Sequence, residues 1–276
     1  MFKVLRKKKE YHNHRIIILD KKTISIIREL GVASHLIGTG LTNLRKADFV
    51  NHSNFGSSFF NLSIGIERLC KILLIRQYQR KNQGNFPDNA YVRTYSHSII
   101  KLVTEVSIGY NLDYIDKDPL LKDILEFLSV FAKSTRYYNL DSLTKEMPIE
   151  EDPYLNWYNI QKKILSRHPN RDDSKESIDS IIKSMNDIVL VQHRELNGES
   201  ILNLSDFLVK CGYSEKIQSY SVYYFYQIIF DLVKIASAEE KEFYSLPSID
   251  EFFVLFKSEP MKKSEILKKK DWTRVW

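Results

Sequence analysis

Histidine and arginine are the side chains with which this chain can move a proton near neutral pH and hold a phosphate, and two such pairs are closely spaced. Arg93 and His97 open the segment RTYSHSIIKLVTEV, residues 93–106. That segment predicts a helix with Ile99, Leu102, Val103 and Val106 facing inward, so Arg93 and His97 fall on one face. A histidine near its ordinary pKa can take and return a proton, while the arginine fork can hold a phosphate oxygen and offset developing negative charge. The same spacing equally suits a capping or packed histidine beside a solvated arginine. The second pair, Arg45 and His52, precedes the most apolar helix of the chain. Within that helix Glu67 and Lys71 are four apart in the favourable orientation, and Glu67 with Arg68 makes either an ordinary polar face or a binding edge. Lys133 and Arg136 stand at the end of another amphipathic segment, where Arg136 is placed to make a further phosphate contact.

Other chemistry has weaker support. Cys70 and Cys211 offer neither a disulfide framework nor a metal cluster, and Cys70 most simply fills core volume. His12 and His14 could share one side of a strand, but no cysteine or carboxylate pair accompanies them, so no metal site is expected. Glu146, Glu150, Glu151 and Asp152 crowd a proline-interrupted segment that reads as a solvated acidic connection. The sequence has no Gly-rich loop ending in Lys-Ser/Thr, no G-x-S-x-G elbow and no H-E-x-x-H helix, and nothing identifies an organic cofactor.

The elements that must position these residues are mainly helical. His52–Tyr78 is the organising stretch: Phe55, Phe59, Leu62, Ile66, Leu69 and Leu73 recur at three and four residues, and Phe60, Ile64, Ile72 and Leu74 widen the stripe. Ser53 or Asn54 is expected to cap it. Before it, RIIILD at 15–20 favours a short strand, TISIIRELG a helix ending near Gly31, and Gly38 and Gly40 an interruption. After it, Gly84 and Pro87 mark a loop. The segment 120–140 places Leu121, Ile124, Leu125, Leu128, Phe131 and Ala132 inward. WYNIQKKILSR resumes the helical pattern, and 174–196 predicts a further helix. NLSDFLVKCGY suggests a short helix capped by Ser205 and ended at Gly212. Residues 214–243 predict a long helix in which Tyr220, Tyr224, Ile228, Leu232 and Ile235 share a face that is packing material rather than a base-stacking platform. Two short helical segments close the chain.

With 276 residues, 43% hydrophobic and 28% charged, the chain can bury a substantial core. Its net charge of +6 is concentrated at the ends: residues 1–50 carry 11 basic and 4 acidic side chains, and 257–276 carry 7 and 3. Such termini suit nucleic acid, although charge alone confers no specificity. No apolar run approaches the roughly 20 residues of a bilayer span, and MFKVLRKKKE lacks a secretory apolar segment. A cytoplasmic protein without a membrane anchor is therefore expected.

The order of segments adds a resemblance. GIERLCKILL, a Gly/Pro loop, RTYSHSIIKL and FAKSTRYYNLD follow one another over roughly residues 50–145 in a way that resembles the HEPN superfamily, an all-helical group of ribonucleases, toxins and noncatalytic proteins. The resemblance implies a basic N-terminal appendage at 1–50, a HEPN-like helical core at 51–145 and a helical extension at 146–276. It also implies a homodimer assembled around RNA, and a metal-independent endoribonuclease in a toxin or defence role with an R-x4-6-H motif. Arg93 and His97 take the catalytic places, with one residue fewer between them than that motif has, and Arg68, Lys133 and Arg136 become RNA contacts. Arg45 and His52 meet the spacing but precede the central helix. A noncatalytic scaffolding or antitoxin-like protein with a protein partner is the alternative.

Overall fold

Aspartate side chains start four of the helices. The computed structural model describes residues 20–110, 118–169, 190–242, 248–256 and 259–273. The expected strand at 15–20, His12 and His14, and most of the expected 174–196 helix lie outside these residues. Asp20 accepts the amides of Lys22 and Thr23 at 2.7 and 3.0 Å to open α1, Lys21–Lys46. Asp88 caps the short α3, Asn89–Arg93. Asp118 and Asp152, each followed by proline at the first helical position, cap α5, Pro119–Lys133, and α7, Pro153–Arg167. Asp-Pro therefore marks a helix start here, because the side chain satisfies an orphan amide and proline has none to lose.

α2, Ser53–Lys81, is the central helix, and the stripe from Phe55 to Leu73 is buried. Its cap differs from expectation: His52 occupies the N-cap with no side-chain hydrogen bond, while Asp48 accepts the amides of Val50 and Asn51 in the preceding turn. Phe60 is exposed, so the stripe is narrower on that side than the sequence suggested. α1 packs along α2 as one uninterrupted helix, through Gly31, Gly38 and Gly40. These glycines do not break α1, because two of them are contact points. A Cβ at Gly40 would stand 2.6 Å from Leu62 Cγ, and one at Gly38 would stand 2.6 Å from the Trp272 carbonyl oxygen.

α4, Ile99–Gly109, and α5 complete the layer against α2. Ser129 Oγ on α5 accepts the Ile100 amide at 2.8 Å, and Gln77 on α2 donates to the Val106 carbonyl at 3.1 Å, so neighbouring helices satisfy both ends of α4. After α5 the chain tightens into a 3-10 turn, Thr135–Tyr137, and α6, Tyr138–Asp141. The acidic segment contains another turn of 3-10 helix, Ile149–Glu151.

Two further expectations are corrected. Residues 190–196 do not continue a helix: His193–Arg194 (β1) pairs antiparallel with Ser200–Ile201 (β2) around a turn with Gly198 at φ 85°. The long helix α8 then runs unbroken over Leu204–Glu242, through Gly212, and Asn203 rather than Ser205 caps it by accepting the Asp206 amide at 2.8 Å. α9, Lys263–Lys268, packs on α8, and the tail returns to α1, where the Trp272 amide donates to Thr42 Oγ1 at 2.8 Å. One hydrophobic cluster runs from Leu30 to Trp272, so packing crosses both expected domain boundaries, at 50 and at 145. The fold is mainly helical, and among the described residues no helix is long and apolar enough to cross a membrane.

Candidate functional site

Arg93 and His97 do not share a helix. α3 ends at Arg93, and Ser96 adopts φ 47°, a left-handed conformation uncommon for a residue with a Cβ. The chain reverses there before Ser98 begins α4. Burial of the neighbouring Tyr95 pushes its phenol up to about 12, and Tyr95 packs edge-on to Tyr91, which in turn meets Tyr78 of α2. This aromatic ladder anchors the reversal against α2.

The reversal delivers His97 to Glu67 of α2, thirty residues away in sequence. His97 Nδ1 lies 3.1 and 3.2 Å from the two carboxylate oxygens. An ionised carboxylate only accepts, so Nδ1–H is the donor, and in the neutral ring the lone pair is then on Nε2. The Glu67 side chain is only 12% exposed, and Lys71 Nζ donates to it at 2.7 Å, confirming the i,i+4 pair, whereas the His97 side chain is 58% exposed. The carboxylate is thus fixed on a helix in the core layer, and the imidazole is held toward solvent.

Glu67, Arg68, Lys71, His97 and Arg136 line a cleft of about 470 Å³, with Phe60, Ile64, Ile72 and Val92 supplying apolar surface. Arg68 is paired with Glu29 of α1. Arg136 makes no ion pair among the described residues, and its guanidinium lies 5.1 Å from the Tyr137 ring centroid. Phe60 and Arg136 also border an adjoining cleft of about 330 Å³ that contains Asn61, Tyr138, Asn139 and Tyr154, so Arg136 stands where two depressions meet.

Of the residues singled out by sequence, the structure gathers His97, Arg68 and Arg136. Arg93 is exposed and does not line the cleft, and Lys133, exposed on the last turn of α5, does not line it either. The other spaced pair is drawn elsewhere: buried Arg45 donates to Glu215 of α8 at 3.2 Å, and His52 packs beside Tyr154. In the acidic segment Asp152 serves as the α7 cap, and among the described residues no three histidine, cysteine or carboxylate groups are placed to hold a metal ion. Burial raises the Cys70 thiol far above its ordinary pKa, which suits a packing role. The Glu67–His97 contact was not visible from spacing, since it depends on a chain reversal between two short helices.

Comparison with family models, with curated proteins and with solved structures finds no match.

Proposed function

We propose that the chain is an RNA-directed protein of HEPN-like organisation and that the cleft cuts a phosphodiester without a metal ion. The observation that carries this reading is the His97–Glu67 contact in a cleft shared with Arg68 and Arg136. Glu67 holds His97 in the tautomer whose Nε2 can accept a proton from a ribose 2′-hydroxyl. The 2′-oxygen then attacks phosphorus, the bond to the 5′-oxygen breaks, and the imidazolium returns its proton to that leaving oxygen. The products are a 2′,3′-cyclic phosphate and a 5′-hydroxyl. Arg136, with its donors uncommitted to a carboxylate, is the phosphate clamp, and Arg68 adds a second guanidinium at the edge. Arg93 is replaced in this role. The toxin or defence setting rests on the resemblance alone.

The test is a mixed pool of structured and single-stranded RNAs incubated without divalent ions, with circular dichroism run beside it. Wild type is expected to leave cyclic-phosphate ends, folded His97→Ala to lose nearly all cleavage, and Glu67→Gln to lose about 10²-fold or more by releasing the tautomer. Equal cleavage by wild type and folded His97→Ala removes His97 as the catalyst. Wild type that neither binds nor cuts RNA removes the reading.

One observation favours the noncatalytic alternative. Tyr137, Leu140, Leu143 and Ile149 are exposed along the segment after α5, an apolar edge that suits a protein partner or a second copy of the chain. Sedimentation across a broad micromolar range distinguishes these, because a homodimer shifts mass with concentration and a hetero-partner surface does not.

A further inference from the structure

Phe60 and Arg136 line both the His97 cleft and the adjoining cleft of about 330 Å³, so together they form the saddle between the two. Phe60 stands apart from the other phenylalanines of α2. Phe55 and Phe59 are buried and pack ring to ring, whereas Phe60 is 44% exposed and, among the described residues, meets no other aromatic ring. An accessible ring face at the mouth of a cleft is a surface on which a planar base can stack, whatever its sequence.

The walls of the adjoining cleft narrow what would enter it. Arg136 is the one charged residue that lines it, and Ser57, Asn61, Tyr138 and Asn139 bring at least partly exposed hydroxyl and amide groups. Asn61 Nδ2 donates to the Ser57 carbonyl at 2.8 Å, which fixes that amide and leaves its Oδ1 to accept. Burial and then the nearby charges of Asp152, Glu151 and Glu150 raise the Tyr138 phenol above its ordinary pKa. A phosphate placed deeper than Arg136 would therefore approach carboxylates, so the group beyond the guanidinium is a neutral one. The volume lies at the lower end of the range for small-molecule clefts, which suits a single nucleoside.

The polarity of an RNA strand then assigns the side. In the cleavage proposed above, the nucleoside that supplies the 2′-hydroxyl lies beside His97, and His97 lines only the larger cleft. The nucleoside that departs with the 5′-oxygen follows on the other side of the phosphate, across Arg136. We propose that the adjoining cleft binds this departing nucleoside, with its base stacked on Phe60 and its edge turned to Asn61 and Asn139. Asparagine amides match the donors and acceptors of base edges, and the stack itself is tolerant of sequence. The inference rests on the phosphodiester reading of the His97 cleft and gives its substrate a direction.

The RNA and the cut position that wild type selects from the mixed pool supply the test. Two further copies of that RNA carry an abasic residue, one immediately 3′ of the cut and one immediately 5′, which removes a base and keeps every phosphate. On the 3′-abasic RNA, kcat/KM of wild type is expected to fall by about ten-fold or more, through loss of one base–aromatic stack. Phe60→Ala, folded by circular dichroism, is expected to lose as much on the intact RNA and nothing further on the 3′-abasic RNA, while Phe60→Tyr stays within ~3-fold of wild type. Wild type that cuts the intact and 3′-abasic RNAs equally overturns the inference and leaves the reading of the His97 cleft standing. A Phe60→Ala loss of the same size on both RNAs also overturns it, because the ring then acts without the base. If only the 5′-abasic loss disappears in Phe60→Ala, the stacked base is the upstream one and the assigned direction is overturned. Wild type that cuts no RNA removes the reading and this inference with it.

Discussion

Arg93, at the end of α3, and Arg136, just past the end of α5, are both exposed arginines, yet of the two only Arg136 reaches the cleft. Its guanidinium has a ring beneath it and solvent-facing donors at the junction of two depressions. Arg136→Lys keeps the charge and removes the fork, so under the proposed mechanism RNA cleavage is expected to fall by about 10- to 100-fold. Arg93→Lys is expected to stay within ~3-fold of wild type, as a surface substitution away from the site does. Initial rates on one RNA substrate decide between them, and the reverse ranking would return the phosphate role to Arg93. The sequence made His97 legible as a residue type but misplaced its partner. The spacing argument assumed one continuous helix from 93 to 106, whereas Ser96 at φ 47° interrupts it and Ser98 starts a new one. Glu67 was legible as the partner of Lys71 because that contact is local. Its contact with His97 is set by tertiary packing, which no local pattern encodes.

At the scale of elements, the glycines separate what a helix tolerates from what a helix pair requires. A Cβ at Gly65 of α2 would stand 2.7 Å from Ile37 Cγ1, 3.1 Å from the Ile37 amide nitrogen and 3.2 Å from the Ala33 carbonyl oxygen. Two of those atoms are backbone, so α1 and α2 would have to separate. Gly65→Ala is expected to destabilise by about 1–3 kcal/mol, read as a lowered urea midpoint at unchanged slope. Gly212 lies within α8 with open space around it. There Gly212→Ala is expected to stabilise by about 0.5–1 kcal/mol, through helix propensity alone. A loss of stability in Gly212→Ala would mean that α8 is broken there after all. This contrast explains which elements were legible. α2, α5 and α7 follow from apolar period, a local signal; the Asp-Pro starts of α5 and α7 are a second local signal that the apolar pattern does not use. Glycine in isolation is a stop signal, so the sequence predicts shorter helices in place of α1 and α8; in α1 the neighbours that Gly38 and Gly40 touch reveal the other use, and in α8 Gly212 is simply tolerated. β1 falls at the end of the stretch 174–196 that reads as helix, and the Asn197-Gly198 turn just after it is the available signal for a hairpin.

For the molecule as a whole, stability rests on one core that the C-terminal segments close, and a histidine at their junction makes it pH-dependent. His168 caps the end of α7, stacks on Tyr220 of α8 with ring centroids 3.7 Å apart at 13°, and bonds the Tyr224 hydroxyl through Nε2 at 3.0 Å. A helix C-terminus favours a cation, but burial lowers the His168 pKa and the charges of Lys263, Lys216 and Arg167 lower it further. The folded pKa therefore lies below the unfolded value of about 6.5. Between the two, the unfolded chain binds the extra proton, so stability rises with pH in that window. The contribution is complete above pH ~6.5 and is lost as pH falls through the folded pKa. Glu215, held low first by Arg45 and then by Lys270, acts in a separate range and loses its contribution only as pH falls below the ordinary carboxylate value of 4.5. Urea midpoints of the wild type are thus expected to drop between pH 8 and pH 5.5, with a smaller drop in His168→Phe, which keeps a ring on Tyr220 and cannot titrate. The other histidines are common to both proteins and cancel in the comparison. Identical pH slopes in the two proteins would show that His168 titrates alike in the folded and unfolded chain, and that α7 and α8 meet there without excluding the proton.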